Sequence, residues 1–169
     1  LPSRLYGREK EIATLLASFD RVVSPGQTAL VLVSGYSGIG KSSIVGELHR
    51  ALVPARGLYA AGKFDQYNRD IPYGTLAQAF VVLIRHVLGQ SEAEVASWRE
   101  KLLRALGTNG QLVVNLVPEL ELVIGRQASV PELPPRESQT RFQAVVRRFI
   151  GAFARPEHPL ALFLDAQIG

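Results

Sequence analysis

The residues best suited to chemistry lie in one short glycine-rich run, Gly35-Tyr36-Ser37-Gly38-Ile39-Gly40-Lys41-Ser42. This run fits the pattern G-x-x-x-x-G-K-[ST] at every fixed position, and that pattern is typical of loops that cradle nucleotide phosphates. Its glycines permit a tight turn with positive φ and a close approach of the backbone to phosphate oxygens. We expect Lys41 to reach the β- and γ-phosphates and the Ser42 hydroxyl to ligate Mg²⁺. The motif therefore predicts binding of Mg-ATP.

A second candidate is Asp165, which ends the apolar run Leu160-Ala161-Leu162-Phe163-Leu164. An aspartate after a buried strand resembles a Walker B element, whose carboxylate holds magnesium, often through water. Aspartate also ends strands simply as a turn residue, but the glycine-rich loop upstream favours the magnesium role. Lys41 and Asp165 are therefore the predicted catalytic residues, and Ser42 and Asp165 are the predicted metal ligands.

The neighbouring elements place the glycine-rich run where such a loop must lie. Ala29 to Ser34 is a continuous apolar run, which predicts a strand buried on both faces of a parallel sheet. Lys41 to Leu52 predicts a helix with one apolar side. The loop amides and the N-terminus of this helix would present positive partial charge to an anion. This context argues against a chance glycine-rich turn.

The remaining segments predict further helices and strands. Helices are expected over Leu5 to Val22, Tyr73 to Leu88, Glu92 to Leu106, Asn109 to Ile124 (interrupted at Pro118) and Glu137 to Ala154. Strands are expected over Leu58 to Phe64 and Pro159 to Leu164. The stretch Arg126 to Arg136 contains three prolines, which predicts a loop.

A third motif, Leu5-Tyr6-Gly7-Arg8-Glu9-Lys10-Glu11, lies shortly before the glycine-rich loop. A hydrophobic pair followed by G-R-E-x-E ahead of a P-loop resembles the STAND class of AAA+-related signalling ATPases. Three other segments are similar to one subgroup, the ATPase modules of large bacterial multidomain sensor kinases and transcriptional regulators: Phe64-Asp65-Gln66, Arg69-Asp70-Ile71-Pro72-Tyr73 and Arg141-Phe142-Gln143. The resemblance spans nearly the whole chain.

This resemblance implies an α/β P-loop NTPase fold of three layers, with a parallel sheet in the order 5-1-4-3-2 flanked by helices. It also implies that the GRE segment lines the base side of the nucleotide site. An ordinary helix start, with Glu9 and Glu11 favourably placed in the first turn, is the alternative for that segment. The predicted nucleotide-binding residues are Tyr6, Gly7, Arg8, Gly35, Tyr36, Ser37, Gly38, Ile39, Gly40, Lys41, Ser42 and Ser43.

The sequence departs from the family pattern near its end. Ala166 stands where the family has a second acid, which would polarise the attacking water. Candidates for the further strands, the sensor residue and the lid are also missing, and the chain contains no methionine. We therefore expect an N-terminal portion of a single ATPase domain, incomplete at its C-terminus, which by itself hydrolyses ATP poorly. Its expected segments are the GRE-motif helix (1–24), the P-loop core (27–64), a helical segment (65–136) and a helix with the Walker B strand (137–169).

The amino-acid composition limits the classes of binding partner that we expect. The absence of cysteine excludes disulfide and thiolate chemistry, and the three histidines lack metal-ligand spacing. The net charge is +4, but the basic residues are scattered, which does not predict a nucleic-acid surface. The longest apolar stretch, Phe80 to Leu88, is interrupted by Arg85 and His86 and is too short to cross a bilayer. We expect a cytoplasmic protein whose partners are a nucleotide and the sensor and output domains of the same longer chain; a nucleotide-dependent oligomer is left open.

Three functions remain open at this point. The first is an ATP-driven switch within a larger signal-transduction ATPase. The second is a small-molecule kinase, which would need a substrate pocket and an arginine-bearing lid. The third is a non-catalytic nucleotide-binding interaction module, which Ala166 favours. The residues alone do not separate ATP from other nucleotides, although the guanine-binding pattern N-K-x-D does not occur.

Overall fold

The computed structural model describes residues 7–23, 28–34, 36, 38–52, 57–63 and 73–165. In chain order these form α1 (Glu9–Val23), α2 (Lys41–Leu52), β1 (Leu58–Lys63), α3 (Gly74–Leu88), α4 (Glu92–Leu106), a 3-10 turn (Gly107–Asn109), α5 (Gly110–Leu116), α6 (Leu120–Ile124), α7 (Pro135–Phe153) and β2 (Leu160–Asp165). The chain divides into two compact units: Leu1–Tyr59 with Arg155–Ala161, and Ala60–Ala154 with Leu162–Gly169.

In the first unit, α1 packs against α2. Helix α1 begins just after Gly7, which has φ 80°, and its first turn carries two glutamates whose charge suits a helix N-terminus. Helix α2 buries Ile44 and Val45. The observed bounds of α2 match the predicted bounds at both ends. Helix α1 was predicted from Leu5, but Gly7 and Arg8 are not helical; Leu5 and Tyr6 lie outside the described residues.

The second unit is a group of helices around an aromatic and aliphatic core. Its largest fully buried side chains are Phe80, Leu83, Ile84, Val87, Leu102, Leu106, Val113, Val117, Leu120, Phe149 and Phe153. Two ring contacts link the helices: Phe80 of α3 lies 4.5 Å from Phe149 of α7, and Trp98 of α4 lies 4.7 Å from Phe153, between centroids. The predicted helices of this region are confirmed, including the interruption at Pro118.

Local signals set the ends of these helices. Ser91 and Glu94 form a reciprocal capping box at the start of α4, in which the serine hydroxyl accepts from the Glu94 amide. Helix α7 begins at Pro135, where a fixed φ and a missing N–H are tolerated. The proline-bearing stretch before it has no regular structure through residue 134, as predicted. None of the helices formed by the described residues is long and apolar enough to span a membrane.

Strands β1 and β2 pair in a small parallel sheet. Both strands were predicted from the sequence. Alternate residues of β1 are buried, namely Leu58, Ala60 and Gly62. The helices and this sheet are compatible with an α/β P-loop fold.

One predicted strand is not formed. Residues 28–34 have no regular secondary structure, and Leu30 and Leu32 are 98% and 85% exposed. The prediction of a doubly buried strand over Ala29 to Ser34 is therefore wrong for this structure. The physical reason is that a strand needs a hydrogen-bonded neighbour. Among the described residues, β1 and β2 pair with each other, and residues 28–34 have no strand beside them.

Candidate functional site

The glycine-rich loop leads directly into the first turn of α2. Gly38 has φ 80° and Gly40 has φ 92°, a region of backbone conformation that side chains with a Cβ rarely adopt. The Gly40 carbonyl accepts the amides of Ser43 at 3.1 Å and Ile44 at 3.2 Å, so the helix is anchored on the last glycine of the motif. The amide of Ile39 donates to the Tyr36 carbonyl at 3.3 Å, which closes the turn before it.

This geometry presents helix-terminal amides at the loop. The first amides of a helix have no acceptor within the helix and carry positive partial charge. Ser42 and Ser43 lie in that first turn and are exposed, as are Gly38 and Ile39 of the loop. An exposed loop of this kind at a helix N-terminus can accept an anionic group.

Lys41 is the first residue of α2, and its Nζ donates to the Tyr36 carbonyl oxygen at 2.9 Å. The ammonium group thus folds back across the loop to a carbonyl five residues upstream. Its side chain is half-buried, whereas Tyr36 is 89% exposed. A carbonyl oxygen is a weaker partner for an ammonium ion than a phosphate oxygen, because only the latter carries a full charge.

Arg8 lies next to the loop. Its Nη2 donates to the Ile39 carbonyl oxygen at 3.2 Å, and its Nη1 donates to Glu11 Oε1 at 3.1 Å. The structure therefore brings the GRE segment to the glycine-rich loop, across 31 residues of sequence. The predicted position of Arg8 beside the nucleobase stays a prediction, because the observed contact is with the loop backbone.

The two glutamates of the GRE segment are stabilised as carboxylates. The pKa of Glu11 is lowered by the backbone amide at its own position and by the hydrogen bond from Arg8. The pKa of Glu9 is lowered by its own backbone amide and by that of Gly7, which donates to Glu9 Oε1 at 3.1 Å. Glu11 therefore stays ionised at neutral pH and keeps its pairing with Arg8.

The other predicted site residues are placed as follows. Asp165 is the last residue of β2 and is half-buried, in the second compact unit. Ser42 belongs to the first unit, and the joint magnesium role predicted for these two residues stays a prediction. Tyr6, Gly35 and Ser37 lie outside the described residues, as do Phe64 to Pro72 and Ala166.

Sequence reasoning missed one part of this arrangement. It treated Glu11 only as an acidic residue of a first helical turn, whereas the structure shows that it holds Arg8. The three-residue spacing of the two side chains was a usable signal, because residues at i and i+3 are neighbours on a helix. The contact between Arg8 and Ile39 had no comparable signal in the local sequence.

A family model described as the AAA ATPase domain matches residues 4–167. The chain therefore belongs to the AAA ATPase domain family. No solved structure matches the chain.

Two curated relatives are signalling proteins. The chain is 36% identical over 166 residues to a hybrid signal transduction histidine kinase G of Dictyostelium discoideum, covering 98% of this chain and 5% of the relative. It is 29% identical over 99 residues to histidine protein kinase 1 of Candida albicans, covering 58% of this chain and 4% of the relative. The chain thus spans about a twentieth of the length of these relatives.

Proposed function

We propose that this chain binds Mg-ATP and serves as the nucleotide-dependent switch of a larger signal-transduction protein. The observation that carries the proposal is the loop itself. Two glycines with positive φ, at positions 38 and 40, turn the backbone into the N-terminus of α2, with the motif lysine at its first position. This combination of turn, helix terminus and lysine suits a polyphosphate.

Each loop residue has a proposed role. Lys41 would exchange its bond with the Tyr36 carbonyl for bonds to the β- and γ-phosphates, and this exchange replaces a neutral acceptor by a negatively charged one. Ser42, exposed in the first turn of α2, would offer its hydroxyl to magnesium. For Asp165 the proposed magnesium role rests on the resemblance of β2 to a Walker B strand. Magnesium, when bound, would neutralise charge on the phosphates.

The signalling part of the proposal rests on the relatives. Both are named as histidine kinases, and this chain covers only a small share of each. We propose that here too the domain works beside sensor and output domains of the same protein, as a member of the STAND class. In such an arrangement the bound nucleotide would favour one of two conformations of the domain, and the attached domains would respond to that choice.

A second candidate function is a nucleotide-binding interaction module that does not hydrolyse ATP. The observation in its favour is Ala166, which stands where an acid would polarise the attacking water. Both candidates require nucleotide binding, and they differ in whether the nucleotide turns over. A small-molecule kinase has no observation among the described residues in its favour.

Nucleotide binding is tested first by thermal unfolding of the purified protein with increasing Mg-ATP. A ligand that binds only the folded state raises the unfolding midpoint in proportion to the logarithm of its concentration once it saturates. We expect such a rise with Mg-ATP and no rise with adenosine at the same concentrations, because adenosine lacks phosphates for the loop. A midpoint that does not move with Mg-ATP at millimolar concentration would contradict the proposal.

A further inference from the structure

The contacts of Arg8 form a chain from α1 to the phosphate-binding loop. Glu11 Oε1 accepts from Arg8 Nη1 at 3.1 Å, and Arg8 Nη2 donates to the Ile39 carbonyl at 3.2 Å. One guanidinium group therefore makes both contacts with different nitrogen atoms. Arginine suits this task because its donors have a fixed planar arrangement.

The contact with Ile39 has a geometric consequence for the next residue. The Ile39 carbonyl and the Gly40 amide N–H belong to the same peptide unit, which is planar and trans. In a trans peptide the C=O and N–H bonds point in opposite directions. When Arg8 holds the carbonyl oxygen on its own side, the Gly40 N–H points away from Arg8.

The flanking glycines make this orientation variable without such a contact. Gly38 and Gly40 both have positive φ, and glycine has access to more backbone conformations than any other residue. Ile39 lies between them, 43% exposed, so its own side chain packs only partly. The peptide units on either side are held through the Ile39 amide and the Gly40 carbonyl, and the hydrogen bond from Arg8 restrains the Ile39 carbonyl that lies between them.

We propose that Arg8 is a positioning residue of the phosphate-binding loop: it fixes the Ile39–Gly40 peptide so that the Gly40 amide faces the phosphates, and Glu11 holds Arg8 in place. This inference rests on the proposed binding of Mg-ATP. This role differs from contact with the nucleobase, because it concerns the phosphates, which all nucleoside triphosphates share.

Direct electrostatics are a minor part of this role. The side chains of Arg8 and Glu11 are 32% and 47% exposed, and exposed ion pairs contribute little stability. What Arg8 supplies is the direction of a hydrogen bond. Lysine at position 8 would keep the charge but lose the planar pair of donors.

The test is competition against a fluorescent ATP analogue on the purified protein, with Mg²⁺ present. The competitors are ATP and inorganic tripolyphosphate, which has no base. For Arg8→Ala we expect about a tenfold loss of affinity for both competitors, equivalent to about 1.4 kcal/mol. Arg8→Lys should lose nearly as much. Lys10→Ala, which removes an exposed charge from the same helix, is the matched control and should bind both competitors as the wild type does.

Glu11→Ala removes the oxygen that accepts from Arg8 and covers the case in which Arg8→Ala fails to fold. This change should lower the affinity for both competitors when it is made in the wild-type protein. In the double variant with Arg8→Ala it should cause no further loss, since the two residues act through one contact. Backbone ¹⁵N relaxation without nucleotide gives an independent readout: the Gly40 N–H should have a lower order parameter in Arg8→Ala and in Glu11→Ala than in Lys10→Ala.

Three results would overturn the inference. If Arg8→Ala lowers the affinity for ATP but not for tripolyphosphate, Arg8 acts on the adenine base. If the Gly40 order parameter is the same in all the variants, Arg8 does not restrain the loop. If the wild-type protein binds neither competitor, nor the fluorescent analogue, the proposed function itself fails. The first two results leave ATP binding intact, so the two failures are distinguishable.

Discussion

Gly62 of β1 lies so close to Thr75 of α3 that a Cβ atom at position 62 would overlap the Thr75 carbonyl group. The next residue continues the contact, since the Lys63 amide donates to Gln78 Oε1 at 3.0 Å. The end of β1 is thus held against the first turns of α3 by backbone proximity and by a hydrogen bond. Only a residue without a side chain fits at position 62.

Gly62→Ala should therefore destabilise the protein by about 1–3 kcal/mol, because the backbone of α3 must move to admit a methyl group. Gly151→Ala on α7 is the matched control, since a Cβ there would meet nothing within 4 Å. In a helix interior this control should stabilise by up to about 1 kcal/mol. Urea unfolding of the two variants gives the comparison, and equal effects would contradict the close packing of β1 on α3.

Much of the helical structure could be predicted from local sequence. Helices α2 and α4 have the predicted bounds, because apolar periodicity and end signals act within a few residues. The local sequence could not decide whether residues 29–34 form a strand, because strand formation depends on partners elsewhere in a sheet. An apolar run indicates that a segment tends to be buried, but it does not specify which strand will be its hydrogen-bonded neighbour.

The candidate site shows the same division. The loop motif identified the residues at the start of α2, because each of its fixed positions is required by the local backbone conformation or by the charge of the ligand. The contact between Arg8 and Ile39 joins residues 31 positions apart, and only the family resemblance suggested that the two segments meet. Tyr73, just before α3, has a left-handed backbone conformation with φ 62°, which the local sequence did not predict.

The capping box of α4 predicts a pH dependence of stability. The Ser91 hydroxyl and amide donate to Glu94 Oε2 at 2.6 and 3.1 Å and lower the pKa of Glu94 below its usual 4.5. A carboxyl whose pKa is lowered by folding stabilises the folded state above its unfolded pKa, and this stabilisation is lost as the pH falls through the folded pKa.

Ser91→Ala should therefore lower the unfolding midpoint most at neutral pH, and the difference from wild type should shrink as the pH falls from about 7 to about 3. Ser97→Ala, an exposed serine within the same helix, is the control and should show no such pH-dependent difference. Thermal unfolding followed by circular dichroism measures both. A difference that grows in acid would contradict the assigned interaction.

Hydrolysis should be slow, since Ala166 leaves the water without the expected acid. We expect turnover well below the ~1 s⁻¹ lower end of ordinary enzymes. Ala166→Glu should raise the rate of phosphate release, and Lys41→Ala should abolish any release that belongs to this protein. Turnover near ~1 s⁻¹ in the wild type, absent in the Lys41→Ala control, would show that another residue activates water.

Calorimetric titration of Mg-ATP into the wild-type protein and into Lys41→Ala tests the central claim most directly. Lys41 leads α2 and already folds its ammonium group over the loop to Tyr36. Its removal should cost on the order of 1.5–3 kcal/mol of binding free energy, the value of a charge-assisted hydrogen bond. Lys101→Ala, which removes an equal charge beside Trp98 in the other compact unit, should leave the affinity unchanged. Equal Mg-ATP affinity of the wild type and Lys41→Ala would contradict the account of this loop as the phosphate site.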